Sequence, residues 1–375
     1  MILLKKISAF ISLVLLVSLF AGCSSVKEPT VTVEDKAYYE KYKDQKISIN
    51  VYNWGEYIAN GTEYGMLDVN AEFEALTGIK VNYTTYSTNE ELYAKLKGGA
   101  GDYDIIIPSD YMVSRMIKED MLSPLDYSLI PNSKNIMESF KNAAYDEGDV
   151  YSVPYMWGTV GIVYDKEVIK EKDIDWDILW NEKYKDQLLM FDNPRDAFAL
   201  AELSLGYSLN TEDPDELKAA AEKLKEQKPL VQAYVMDEIF DKMGAGEALL
   251  APYYAGDAVT MMQDYDHLGF AVPKSGTNRF VDAVCIPKTS GNKEAAHMYI
   301  NFLLEAEVAL ANSEYIGYST PNIKAFDMLP DEIKNDGISY LDDEYLDTKT
   351  TVFKNLSDDA NKLMQDLWID IKTAD

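Results

Sequence analysis

The chain has 375 residues, 47% of them apolar, and sets 35 lysines and arginines against 64 aspartates and glutamates, a formal net charge of −29. That length suits two lobes of ordinary domain size with a sizeable core. The acidity argues against nucleic acid as a partner, since phosphate binding needs a basic surface. The two histidines, His267 and His297, sit in unrelated contexts and give no zinc or catalytic-histidine pattern.

Lys5 and Lys6 precede an apolar run from Ile7 to Phe20 that ends in Ala21-Gly22-Cys23. A basic start, a short apolar stretch and small residues before a cut make an export signal. The run is short for a spanning helix, which needs roughly 17–25 apolar residues. A thiol directly after Ala-Gly resembles a bacterial lipoprotein signal. That resemblance implies that residues 1–22 are removed and that Cys23, lipidated, begins the mature chain on the outer face of a membrane or in the periplasmic space. The alternative is ordinary secretion with Cys23 idle. With Cys23 lipidated, Cys285 has no partner for an intramolecular disulfide. Its setting, Ala-Val-Cys-Ile-Pro, predicts a buried core thiol. Residues 23–46 are polar, lack apolar periodicity and read as a membrane tether, with room for a helical turn at Tyr38 to Tyr42.

Folded structure is expected from Ile47. Ile47, Ile49 and Val51 alternate with polar residues as in a strand. Val69, Phe73 and Leu76 at helical spacing predict a helix over 66–77, stopped by Gly78. Ile79 to Tyr83 alternates again. Thr88 and Glu91 form a capping box for the next helix, which closes at Gly98-Gly99. Ile105-Ile106-Ile107 is apolar throughout, as expected of a strand buried on both faces. Strand–helix–strand–helix–strand order predicts a parallel α/β sheet.

A second such stretch begins near residue 159. Val160 to Val163 reads as a strand, and Asp213-Pro214 opens a helix to about Gln227. Ala251 to Ala255, Phe270 to Val272 and Val284 to Ile286 read as strands, and 293–310 as one long helix. A last helix is capped by Ser357 or Asp358. Two exported α/β lobes are the physical outline of a solute-binding protein, whose ligands sit beyond the carboxyl ends of strands.

Five turns at strand ends carry unusual chemistry: Tyr52 to Tyr57, Pro108 to Tyr111, Asp192 to Asp196, Tyr253 to Asp257, and Arg279 to Asp282. Together they supply rings and carboxylates. An organic cation gains roughly 0.5–2 kcal/mol from a ring face and needs an anion, because burying it unpaired costs several kcal/mol. Each turn also has a plainer use. Trp54 could be core, Ser109 and Asp110 or Asp192 and Asp196 could cap helices, and Tyr253 and Tyr254 could face opposite sides of a strand.

These turns resemble those of the spermidine/putrescine-binding proteins of bacterial ABC transporters. The segments that carry the likeness include Tyr52-Asn53-Trp54-Gly55-Glu56-Tyr57, Asp102 to Ser109, Val153 to Gly158, Gly256-Asp257 and Ile316-Gly317-Tyr318-Ser319-Thr320-Pro321-Asn322. The resemblance implies a type II periplasmic-binding-protein fold, two α/β lobes with a ligand cleft between them. Lobe one would be 47–158 plus 282–326, and lobe two 159–281 plus 327–375. It implies polyamine-binding roles for Trp54, Glu56, Ser109, Tyr111, Asp196, Tyr254, Asp257, Phe280, Asp282 and Tyr318. Asp196, Asp257 and Asp282 would neutralise ammonium groups. Trp54, Tyr254, Phe280 and Tyr318 would wall the methylene chain. Gly55 stands where the family has Ser or Thr, and Asn193 where spermidine-preferring members have Asp. The implied partners are a polyamine, membrane permease subunits and a lipid anchor. No cofactor, metal or enzymatic activity is implied, and a monomer is expected.

Three other readings use the same residues. Adjacent Tyr253 and Tyr254 could serve a ferric-iron-binding protein of the same broad fold. A sugar or amino-acid binder would also use rings. A carboxylate-pair hydrolase could use two of the acids, although no nucleophile elbow or phosphate loop accompanies them.

Overall fold

The computed structural model describes residues 30–62 and 66–373. Strand β1 (Ser48–Trp54) leads into helix α1 (Val69–Thr77), β2 (Lys80–Tyr86), α2 (Asn89–Lys97), β3 (Ile105–Ile106) and α3 (Asp110–Lys118). Strand β1 pairs in parallel with β2, Ser48 beside Lys80, and with β3, Val51 beside Ile105. Parallel neighbours need crossover connections, which α1 and α2 provide. Helix α1 starts at Val69 rather than 66, because the Asp68 side chain caps it by accepting from the Ala71 N–H.

The long strand β4 (Ser152–Asp165) follows, then β5 (Leu188–Phe191), α4 (Pro194–Leu205), α5 (Pro214–Gln227), β6 (Val231–Val235), β7 (Leu250–Tyr254), α6 (Ala255–Asp264), β8 (Leu268–Ala271) and β9 (Thr277–Cys285). The strand order is β2-β1-β3-β9-β4-β7-β5-β6. Strand β4 serves both halves of this order. Ser152 to Thr159 pair with β9, and Val160 to Tyr164 pair with β7. Strand β4 is mostly apolar, and both it and β9 are buried along nearly their whole length, which fits a central position with both faces covered. The expected α/β architecture is what the chain forms, its strands joined in one mixed sheet.

Three expectations need correction. The segment 293–310 is not one helix but two, α7 (Lys293–Leu303) and α8 (Ala306–Ile316). The break falls at Leu304 and Glu305, where Glu305 is extended and the Leu304 carbonyl accepts from the Asn135 and Asn322 side chains. Residues 30–46 are not a free tether. Tyr39 is fully buried, its hydroxyl donating to Glu305 at 2.8 Å, and its ring meets Phe302 edge-on. Phenol burial outweighs the polar composition that suggested a linker. The strand read at Val160 to Val163 is part of the second half of the 14-residue β4 (Ser152–Asp165). Cys285 is buried and free, as its apolar setting predicts. Residues 1–29, and with them Cys23, lie outside the described residues. Among the described residues no helix is long and apolar enough to cross a membrane. The chain ends in α9 (Asp358–Thr373), whose Trp368 packs edge-on against Tyr234 of β6.

Candidate ligand cavity at the strand ends

Strands β1, β3, β5, β6 and β7 all end toward one cavity of about 690 Å³. All ten residues expected in a site line it: Trp54, Glu56, Ser109, Tyr111, Asp196, Tyr254, Asp257, Phe280, Asp282 and Tyr318. No lysine or arginine is among the lining residues.

Trp54 closes β1. Its indole N–H donates to the Ile107 carbonyl at 2.8 Å, and its ring packs on Tyr86 with centroids 4.6 Å apart. Two neighbouring strand ends thus fix the ring while leaving it half-exposed. Gly55 follows, and a Cβ there would collide with the Asp237 carboxylate. Glu56 has φ 46°, a left-handed conformation uncommon outside glycine, and its carboxylate takes a hydrogen bond from Tyr315 at 3.4 Å.

Asp282 lies on β9 and is 4% exposed. Tyr57 donates to its Oδ2 and Ser109 to its Oδ1, each at 2.6 Å. Ser109 is held in turn by Asn89, whose side-chain amide donates to it at 3.1 Å. Asp196 belongs to the first turn of α4. The Asn193 side chain caps that helix by accepting from the Asp196 N–H. Asp196 Oδ2 accepts from Tyr254 at 2.7 Å and from the Asn193 amide at 2.5 Å. Asp257 stands in the first turn of α6, and Tyr318 donates to its Oδ2 at 2.9 Å. Gly256 must be glycine because the Tyr318 ring occupies the space its Cβ would take. Tyr111 donates to Glu90 at 3.0 Å and meets Phe353 edge-on. Phe280 lies edge-on to Tyr254 at 5.4 Å and to Tyr318 at 6.1 Å.

Asp257 and Asp282 are held by neutral hydroxyls, so their charge is not cancelled within the protein, while Asp196 also feels the neighbouring Arg195 guanidinium. Burial pushes Asp257 up to about 8, an effect that the Tyr318 hydrogen bond opposes and neighbouring acids reinforce. Burial pushes Asp196 and Asp282 up to about 6 against their hydroxyl donors. Asp237, partly buried beside Glu238 and Glu56, is also raised. A bound cation would remove the cost of ionising all of them.

Several lining residues were not read from sequence, among them Asn89, Asp237 and Phe353. Asp237 sits just past β6, a strand whose weak alternation does not stand out in the sequence. The turn residue Asp110 goes elsewhere. Its Oδ2 accepts from the Val281 N–H at 3.1 Å, which binds it to the β9 backbone and not to the cavity. Asp192 is exposed and accepts from Lys372 at 2.8 Å. Tyr253 and Tyr254 both line the cavity, but the Tyr254 hydroxyl is engaged with Asp196. Among the described residues there is no cluster of three His, Cys, Asp or Glu suited to a metal ion.

Residues 69–339 match the family model for bacterial extracellular solute-binding proteins. The chain is 40% identical over 293 residues to the spermidine/putrescine-binding periplasmic protein of Salmonella typhimurium, covering 78% of this chain and 82% of that protein. It is 38% identical over 305 residues to the protein of the same description from Escherichia coli (strain K12), covering 81% and 86%. Among solved structures, the spermidine/putrescine ABC transporter substrate-binding protein of Streptococcus pneumoniae is similar at 38% identity and a TM-score of 0.73, over 87% of this chain and 99% of that one.

Proposed function

The chain belongs to the bacterial extracellular solute-binding proteins, and from that premise we propose that it captures a polyamine, putrescine or spermidine, outside the cell and delivers it to an ABC permease. The observation that carries this reading is the cavity's composition. It joins five carboxylates, Glu56, Asp196, Asp237, Asp257 and Asp282, to the rings of Trp54, Tyr254, Phe280 and Tyr318, with no basic residue in the lining. Ammonium groups would sit against Asp196, Asp257 and Asp282, and the rings would flank the methylenes. Ser109 and Tyr57 would orient Asp282, Tyr111 would support the wall near Phe353, and Glu56 would serve the cavity mouth. Cation–π contact adds roughly 0.5–2 kcal/mol for each well-placed ring.

The lobes would be 47–158 with 282–326 and 159–281 with 327–375, closing about the strands that both share, β4 and β9. Closure would give the permease a combined face of both lobes. The protein would act as a monomer by capture and release, without turnover of its ligand. Its relatives are periplasmic by name, which supports an exported location. Lipidation at Cys23 would hold this chain to the membrane.

Titration calorimetry of residues 24–375, stripped of ligand by unfolding and refolding, tests the reading. One-to-one saturable binding of putrescine or spermidine is expected. Absence of heat and of any thermal shift with both amines would refute it, and a coloured complex on adding Fe³⁺ would point to iron instead.

A further inference from the structure

Successive residues of a strand face opposite sides, and β9 uses both. Phe280 and Asp282 line the cavity just described, while Arg279 and Val281 line a second one behind it. Across the pairing, Trp157 of β4 stands opposite Val281, and Thr159 stands opposite Arg279. This rear chamber is larger, about 2500 Å³, and opens between the shared strands and the segment from 323 to 355.

Its walls are aromatic. The Trp157 ring lies 5.6 Å from Phe140 and 5.9 Å from Tyr340, and Tyr340 lies 5.1 Å from Phe326. Two donors there lack acceptors. The Trp157 indole N–H is buried with no hydrogen-bond partner. The chain has three arginines. Arg115 bonds Glu119 and lies over Tyr93, and Arg195 bonds Asn210 and lies over Phe353. The Arg279 guanidinium makes no hydrogen bond, ion pair or ring contact among the described residues. In a chain of net charge −29 a half-buried guanidinium has carboxylates in abundance to choose from. The acids on the chamber's rim, Asp342, Asp343 and Asp347, are exposed and do not pair with it.

We propose that the rear chamber is a second ligand site, for a small organic anion with an aromatic body. The body would lie among Phe140, Trp157 and Tyr340, and the anionic group would meet Arg279. The same guanidinium, with Lys334 and Lys354 beside Asp342, Asp343 and Asp347 in the lining, disfavours a polyamine there, so the inference stands apart from the polyamine reading. Phe353 is the one described residue that lines both chambers.

The test uses residues 24–375 with anilinonaphthalene sulfonate as the anionic probe and N-phenylnaphthylamine as its neutral counterpart. Fluorescence titration should give one saturable site for the sulfonate, undisplaced by saturating putrescine. Arg279→Gln should weaken the sulfonate about tenfold, as expected for losing a charged hydrogen bond, and leave the neutral probe and putrescine unchanged. Arg279→Lys, which keeps the charge, should restore most of the affinity and covers the case in which the glutamine variant folds poorly. Several equivalent sites, displacement by putrescine, no binding, or indifference to Arg279→Gln in the folded protein would each overturn the proposal.

Discussion

The Tyr57 phenol donates to Oδ2 of Asp282 at 2.6 Å, so the acid at the centre of the cavity is held by a neutral donor and not by a cation. An Arg or Lys in that place would neutralise Asp282 and repel an amine. A hydroxyl orients the carboxylate, leaves its charge uncancelled, and spends only part of its accepting capacity. Ser109 does the same on the other oxygen.

Asp282→Asn should therefore weaken putrescine or spermidine by about 2–5 kcal/mol, the cost of removing one partner of a desolvated charge pair. In calorimetry that is a loss of at least about thirtyfold. The ligand-free variant should melt no lower than the parent, because it removes a carboxylate that burial already disfavours. Unchanged affinity would remove Asp282 from the site.

The raised acids set a pH dependence. Asp257 is pushed up to about 8, and Asp196 and Asp282 to about 6, whereas an unfolded aspartate titrates near 4. The folded, ligand-free protein thus holds these protons more tightly than the unfolded chain. Their contribution to stability is fully present below about pH 4 and is lost as pH rises through about 6 and then about 8. Ligand binding runs the other way, since an ammonium needs the ionised acid. At pH 7 Asp257 is mostly protonated, so binding should release on the order of one proton. Calorimetry in two buffers of different ionisation enthalpy reads that number directly. The thermal shift given by putrescine should be larger at pH 8 than at pH 5.5, and a shift that grows on acidification would contradict the assignment.

Much of this site was legible in the sequence, for a physical reason. Residues that end buried strands are forced to one edge of a sheet, so finding the strand finds the edge. Ile105 to Ile107 and Leu188 to Phe191 are apolar runs, and Ser109 and Tyr111 after the first and Asp196 after the second reach the cavity, whereas Asp110 and Asp192 do not. Strand β6 reads Val-Gln-Ala-Tyr-Val directly after Lys228-Pro229-Leu230, and of its side chains only Val235 is buried. Its weak alternation hid Asp237. The packing of residues 30–46 was illegible for the opposite reason. The segment is polar, and what anchors it is a few tyrosines meeting helices more than 250 positions away, as Tyr39 meets Glu305 with a separation of 266.

Gly55 offers a test of how tightly the two halves of the cavity approach. Gly55→Ser places a side chain where the Asp237 carboxylate lies. Asp237 is the end of a mobile side chain, so folding should change little and amine binding should weaken. Once Asp237 is replaced by Ala, Gly55→Ser should cost much less, because the clash is gone. Equal losses in both backgrounds, measured by calorimetry, would mean the two residues do not meet in the bound state.

Cys23→Ser bears on the anchor alone. The resemblance of Ala21-Gly22-Cys23 to a lipoprotein signal implies that the thiol carries lipid. The substituted protein should leave the membrane fraction on cell fractionation while binding amines as before. Retention in the membrane would refute lipidation at this residue.

Tyr39 fastens residues 30–46 to the fold. Its side chain is fully buried, donates to Glu305 at 2.8 Å and accepts from the Asn301 amide at 2.6 Å. Around it, Thr30 donates to Glu72 at 3.0 Å, and Glu34 pairs with Lys134 and Lys324. The surface pairs contribute little, roughly 0–1 kcal/mol each, so the buried phenol carries the attachment. Tyr39→Ala should cost about 3–5 kcal/mol, as for other buried aromatic truncations, and it also leaves Glu305 and Asn301 short of a partner. Tyr39→Phe keeps the ring and should cost about 1–3 kcal/mol for the unmet polar groups. Chemical denaturation of both variants, beside a chain that begins at Ile47, separates the possibilities. If the shortened chain and Tyr39→Ala lose stability together, the segment is part of the folded body. If neither differs from the parent, residues 30–46 are a tether after all.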